Sequence, residues 1–156
     1  MITLDIPGLE RLLIKNMVLD FNGTIALDGS LLPGVLERLN ALAGVLDIYI
    51  LTADTFGTVL SACSSVKGKV AVLKERLGTE EKLNFVAGLG ARETVAIGNG
   101  ANDTLMLEGA ALGIAVAGPE GASARALMAA DVVVKDINDG LDLFLNSKRL
   151  VATLRR

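Results

Sequence analysis

A chain of 156 residues, 51% apolar and 21% charged, can bury one sizeable core and is too apolar to stay disordered. Histidine is absent and Cys63 is the single cysteine. A Ser-His-Asp or Cys-His catalytic set, a zinc site built on His or several Cys, and an internal disulfide are therefore excluded. The formal net charge of −3 gives no electrostatic footprint for nucleic acid.

Any metal must then be oxygen-bound, as Mg²⁺ is. No stretch approaches ~18 uninterrupted apolar residues, so no membrane span is expected. The apolar run 109–118 reads as a buried strand with its approach. No basic segment leads into an apolar signal core, so the expected location is cytoplasmic.

In chain order, residues 2–6 read as an extra edge strand ended by Pro7-Gly8. Short apolar strands are expected at 17–20, 47–51, 69–73, 94–98, 113–116 and 131–134. Residues 25–32 form a hairpin turning at Asp28-Gly29, a flap over Asp20 in the functional reading and an ordinary loop otherwise. Helices are expected over 33–43, from Asp54 to Cys63 or Ser64, and over 79–90, 102–108, 120–129, 137–145 and 147–154. This alternation predicts a single α/β domain, residues 1–156, built on a doubly wound parallel sheet.

Polar residues gather where strands end or helices start. Asp20-Phe21-Asn22-Gly23-Thr24 follows the first parallel strand, Thr52 and Asp54 the second, and Asn99, Asn102 and Asp103 a later one; Lys82 opens a helix. Loops after parallel strands open on one sheet edge, so these groups can converge. A carboxylate, a hydroxyl, an ammonium and a second carboxylate are the set that phosphoryl transfer uses. Asp20 can act as a covalent nucleophile. Thr52 and the N–H groups around Phe21 and Gly23 can bind phosphoryl oxygens, Lys82 supplies charge, and Asp20 and Asp103 can hold Mg²⁺. The ordinary alternatives are an Asx turn at Asp20, a strand-end hydroxyl at Thr52, a helix cap at Asp54 and a solvated Lys82. Lys74 is the rival ammonium. Gly98-Asn99-Gly100 lacks the third glycine of a dinucleotide fingerprint, because Asp103 stands in that place.

The pattern resembles the haloacid dehalogenase (HAD) superfamily, and within it the phosphorylation domain of P-type ATPases. The resemblance runs from about Asn16 to Arg149 and rests on four pieces in the family's order: Asp20-Phe21-Asn22-Gly23-Thr24, Leu51-Thr52-Ala53-Asp54, Glu80-Glu81-Lys82-Leu83, and Gly98-Asn99-Gly100-Ala101-Asn102-Asp103. Ala129-Ala130-Asp131-Val132-Val133 also looks like the late strand of that ATPase domain. The resemblance implies a three-layer HAD-like Rossmannoid fold and a Mg²⁺-dependent phosphohydrolase. Asp20 would be nucleophile and metal ligand, and the Asn22 carbonyl a second ligand. Thr52 and Lys82 would bind phosphate, and Asp103 would support the metal directly or through water.

Two positions depart from the family. Asn22 stands where phosphatases usually carry an Asp general acid and base, whose loss costs about 10²–10⁴-fold. Asn99 stands where a metal-binding Asp is usual; its amide oxygen can ligate, with less charge. No cap is inserted: 31 residues separate Asp20 from Thr52, and 29 separate Thr52 from Lys82. The open site would be closed by a large phosphorylated substrate or a neighbouring subunit, which favours a homo-oligomer. A binding or regulatory module with weakened catalysis is the alternative. A receiver-like phosphoacceptor fits less well, since no acidic pair precedes Asp20.

Overall fold

The computed structural model describes residues 1–54, 57–74 and 78–156. Among the described residues ten strands form: β1 (Ile2–Leu4), β2 (Leu12–Ile14), β3 (Asn16–Asp20), β4 (Ala26–Leu27), β5 (Ser30–Leu31), β6 (Asp47–Thr52), β7 (Lys69–Val72), β8 (Thr94–Gly98), β9 (Leu112–Val116) and β10 (Val132–Val134). Seven helices accompany them among the described residues: α1 (Val35–Leu42), α2 (Thr58–Ala62), α3 (Thr79–Leu89), α4 (Thr104–Gly109), α5 (Ala124–Ala129), α6 (Ile137–Leu145) and α7 (Ser147–Leu154). No described helix is long and apolar enough to cross a membrane.

Six strands make one parallel sheet in the order β10-β9-β8-β3-β6-β7. From β3 the chain builds outward through β6 and β7, then returns to add β8, β9 and β10 on the other side. The order reverses between β3 and β8, which makes the carboxyl end of that pair the switch point where open α/β sheets bind ligands.

The strands read as continuous apolar runs because both faces are covered. Alternation along each strand sorts side chains into two layers. Met17, Leu19, Ile48, Ile50, Val95, Ile97, Ile114 and Val116 pack with residues of α1, α2, α6 and α7. Val18, Leu51 and Ala96 pack with Val86 of α3, Met106 and Leu107 of α4, and Ala126 of α5. The expected doubly wound α/β fold is the one observed.

Some local expectations are corrected. The segment 2–6 does not join the main sheet: β1 pairs antiparallel with β2, matching Ile2 to Ile14. The chain reverses after Pro7-Gly8, and Leu4 and Ile14 both bury in the α1-side layer. α1 starts at Val35 rather than Pro33, because Gly34 sits at φ 84°, outside helical conformation. The helix expected from Asp54 is described only from Thr58; Thr55 and Phe56 lie outside the described residues. α5 starts at Ala124, not Glu120, with the Ser123 hydroxyl accepting the Ala126 N–H at 3.0 Å as its cap.

The β4–β5 hairpin forms as expected, with Asp28 at φ 50° and Gly29 at φ 81°, the two positive angles of a type I′ turn. It faces α2 across a shallow groove lined by Gly29, Ser30, Leu31, Thr58, Ser61 and Ala62. None of its residues lines the cleft over Asp20.

Candidate active site

Asp20 ends β3, whose preceding four residues are all buried, so its carboxylate emerges from a rigid base. The next residues fold back tightly. The N–H groups of Thr24, Ile25 and Ala26 all donate to the Phe21 carbonyl, at 3.3, 3.1 and 3.1 Å. Gly23 holds φ 78°, a conformation open to glycine at no steric cost. The Phe21 ring is buried and pins the loop to the core.

The Phe21 and Gly23 amides, expected from the sequence to face phosphate, are both engaged within the chain. Phe21 N–H donates to the Leu51 carbonyl at 3.2 Å, and Gly23 N–H to the Ala26 carbonyl at 2.9 Å. Asn22 is exposed, and neither its N–H nor its carbonyl has a hydrogen-bond partner among the described residues. Among the described residues the loop therefore offers a free donor and a free oxygen at Asn22.

Lys82 lies one turn into α3 and is 2% exposed. Its Nζ donates to Asp20 Oδ1 at 2.6 Å and to Asp103 Oδ1 at 2.6 Å. The rival Lys74 is exposed, and its backbone N–H donates to both carboxylate oxygens of Glu81 at 3.0 Å. One ammonium thus serves two carboxylates. Burial, then the Asp103 charge, push Asp20 up to about 7 against the opposing pull of Lys82. Burial alone would lower the Lys82 pKa; the two carboxylates outweigh it and raise it.

Asp103 is fully buried beneath this contact. Its Oδ2 accepts the N–H groups of Asn99 and Gly100 at 3.0 and 2.8 Å. Both of its oxygens are engaged, and it does not line the cleft. These contacts orient Lys82 and shape the loop after β8.

The Thr52 hydroxyl accepts the Asp54 N–H at 3.0 Å, which leaves its own proton available to a ligand. Asp54 serves the following helix: its Oδ2 accepts the Thr58 hydroxyl at 3.2 Å and the Val59 N–H at 3.0 Å. Thr24 bridges the two halves of the site, its hydroxyl lying 3.3 Å from Asp20 Oδ2 and 3.2 Å from Asn99 Oδ1.

The resulting cleft, about 240 Å³, is lined by Asp20, Asn22, Thr52, Ala53, Lys82, Asn99, Gly100, Asn102 and Glu120. Among the described residues, no group of three or more His, Cys, Asp or Glu forms a metal cluster. The cleft does offer oxygens suited to a hard cation: Asp20 Oδ2, the unpaired Asn22 carbonyl and the Asn99 amide oxygen. Glu120 was not singled out from the sequence. It lay inside a segment read as helix, and only its Pro-Glu-Gly setting hinted at a turn.

The family model of haloacid dehalogenase-like hydrolases matches residues 53–142. The chain belongs to this family. Among curated relatives, the uncharacterized protein MJ0073 of Methanocaldococcus jannaschii is 48% identical over 88 residues, 53% of this chain and 95% of that protein. Among solved structures, a 3-deoxy-D-manno-octulosonate 8-phosphate phosphatase from Moraxella catarrhalis, in complex with magnesium, phosphate and KDO, superposes with a TM-score of 0.64 at 16% identity. That match covers 91% of this chain and 94% of the phosphatase. A zinc-transporting PIB-type ATPase gives a TM-score of 0.64 at 22% identity, over 78% of this chain and 20% of the ATPase. The haloacid dehalogenase-like core is thus shared with both phosphatases and P-type pumps.

Proposed function

We propose that this haloacid dehalogenase-like protein is a Mg²⁺-dependent phosphohydrolase that works through an aspartyl-phosphate on Asp20. The observation that carries the reading is the Asp20 carboxylate lining the cleft, held 2.6 Å from the Lys82 ammonium.

A substrate phosphoryl group enters the cleft with its oxygens toward Lys82, the Thr52 hydroxyl and the Asn22 N–H. An Asp20 oxygen attacks phosphorus, the ester P–O bond breaks, and the leaving oxygen departs with the electron pair. Asn22 cannot protonate it, so it takes its proton from water. Water then attacks the phosphorus of the aspartyl-phosphate, the Asp20 O–P bond breaks, and inorganic phosphate leaves. Lys82 offsets negative charge throughout, and Asp103 keeps it in place. Mg²⁺, held by Asp20, the Asn22 carbonyl and Asn99, would neutralise the phosphoryl oxygens.

The reading favours substrates with good leaving groups, for want of an acid at Asn22. Its test is hydrolysis of an aryl phosphate with and without Mg²⁺ by wild type and Asp20→Asn. Ion-dependent release lost in the variant supports it; equal release by both proteins sinks it. A folded wild type that releases nothing would favour the second reading, a phosphate-binding or partner-binding module, which rests on the amides at Asn22 and Asn99.

A further inference from the structure

We infer that Glu120 supplies the carboxylate that position 99 lacks, and that position 99 is an amide because an amide can hold Glu120 over the site. The inference rests on the ion-dependent reading of Asp20 above.

Glu120 is the third residue of the turn Gly118-Pro119-Glu120-Gly121 that follows β9. The Gly121 N–H closes the turn on the Gly118 carbonyl at 2.8 Å, with Pro119 at the position where proline favours such a turn. One residue anchors it from the far side of the cleft. Asn99 Nδ2 donates to the Gly121 carbonyl at 3.1 Å, and the Asn99 carbonyl accepts the Ser123 N–H at 2.9 Å. An Asp at 99 has no N–H to give. It would set a carboxylate oxygen against the Gly121 carbonyl oxygen, and the turn would lose its side-chain anchor.

The anchored turn places the Glu120 carboxylate in the cleft lining with Asp20, Asn22 and Asn99. The carboxylate and the amide meet over the bare face of Gly23: a Cβ there would run into Glu120 Oε2 and would lie 2.6 Å from Asn99 Nδ2. Glu120 is exposed and makes no hydrogen bond or ion pair among the described residues, so its carboxylate can rotate toward a ligand. The charge balance calls for it. Asp103 is committed to Lys82 and to two backbone amides. Asp20 alone would face a divalent ion that otherwise meets only neutral oxygens. A second carboxylate restores the charge that hard cations select.

The test titrates Mn²⁺ by electron paramagnetic resonance into folded wild type, Glu120→Gln, Asp20→Asn and the double variant Asn99→Asp/Glu120→Gln. Glu120→Gln is expected to weaken Mn²⁺ binding at least tenfold while leaving the ion-free melting curve unchanged. The double variant is expected to recover binding, because the acid returns to position 99. Amide exchange at Gly121 and Ser123 should quicken in Asn99→Asp; unchanged exchange would remove the anchoring half of the inference. Wild-type affinity in Glu120→Gln, alongside lost affinity in Asp20→Asn, overturns the inference and leaves the phosphohydrolase reading standing. Unaltered Mn²⁺ affinity with one ionising limb missing from the pH–rate profile would make Glu120 a proton carrier, which also overturns it. A wild type that binds no Mn²⁺ overturns both.

Discussion

The Lys82 ammonium meets the Asp20 carboxylate at 2.6 Å although 62 positions separate them in the chain. With Asp103 on its other side, Lys82 is the one cation of a buried triad that carries net negative charge once Asp20 ionises. Removing it leaves two carboxylates facing each other in a poorly solvated place. Lys82→Met is expected to cost about 3–5 kcal/mol, the range for breaking a buried ion pair. Urea denaturation would measure this. Aryl phosphate hydrolysis is expected to fall about 10²–10³-fold, as for loss of one charge-stabilising donor.

Asp20→Asn should do the opposite to stability while abolishing turnover, because it leaves a neutral Lys82–Asp103 pair. The sign follows from linkage. Asp20 titrates near 7 in the ion-free fold and near the ordinary ~3.9 when unfolded, so the folded state holds the extra proton between those values. Ion-free wild type should therefore lose stability as pH rises from about 4 to 7. The variant should lack this slope, and saturating Mg²⁺ should flatten it in wild type. Melting temperatures across pH, with and without the ion, would show it; a wild-type slope of opposite sign would refute the charge balance.

Gly98 is where β8 makes room for Asp103. A Cβ at this position would lie 2.5 Å from Asp103 Cγ and 2.5 Å from its Oδ2. Gly98→Ala should cost about 1–3 kcal/mol by overpacking. It should also lower kcat by displacing the carboxylate that orients Lys82. A change in stability with kcat intact would show that Asp103 does not steer Lys82.

Asn22→Asp is expected to restore a proton donor to the leaving group. Its gain should be confined to poor leaving groups: about 10²-fold or more on alkyl phosphates and little on aryl phosphates. Equal gains on both would indicate that the substitution acts through the ion and not through proton transfer.

Cys63 is buried at the end of α2, and burial pushes its thiol up to about 11. Native protein should react slowly with a thiol reagent at mildly alkaline pH and urea-unfolded protein rapidly. Fast native labelling would contradict the burial of this helix end.

The strands, the parallel winding and the main site groups were legible because their signals are local. Apolar runs ending at Asp20, Thr52 and Gly98 mark buried parallel strands and place the following residues on one edge, whatever the rest of the chain does. Of the two ammonium groups the sequence offers, Lys82 and Lys74, the structure puts Lys82 in the triad.

What escaped the sequence depends on partners distant in the chain. Whether the Phe21 and Gly23 amides remain free is decided by the Leu51 and Ala26 carbonyls. Whether Asp103 reaches the cleft is decided by Lys82 and by the two amides that occupy it. Residues 2–6 carry a strand signal, but their partner is set by the reversal at Pro7-Gly8. Glu120 sat in a segment compatible with helix, and its place over Gly23 goes with a contact distant in the chain, from Asn99 after β8 to the turn after β9. Side-chain periodicity is a property of neighbours along the chain, so the sequence by itself determined the elements and the chemical inventory. Hydrogen-bond commitment and charge balance belong to groups brought together by the sheet order, so only the tertiary structure decided which of those groups face the cleft.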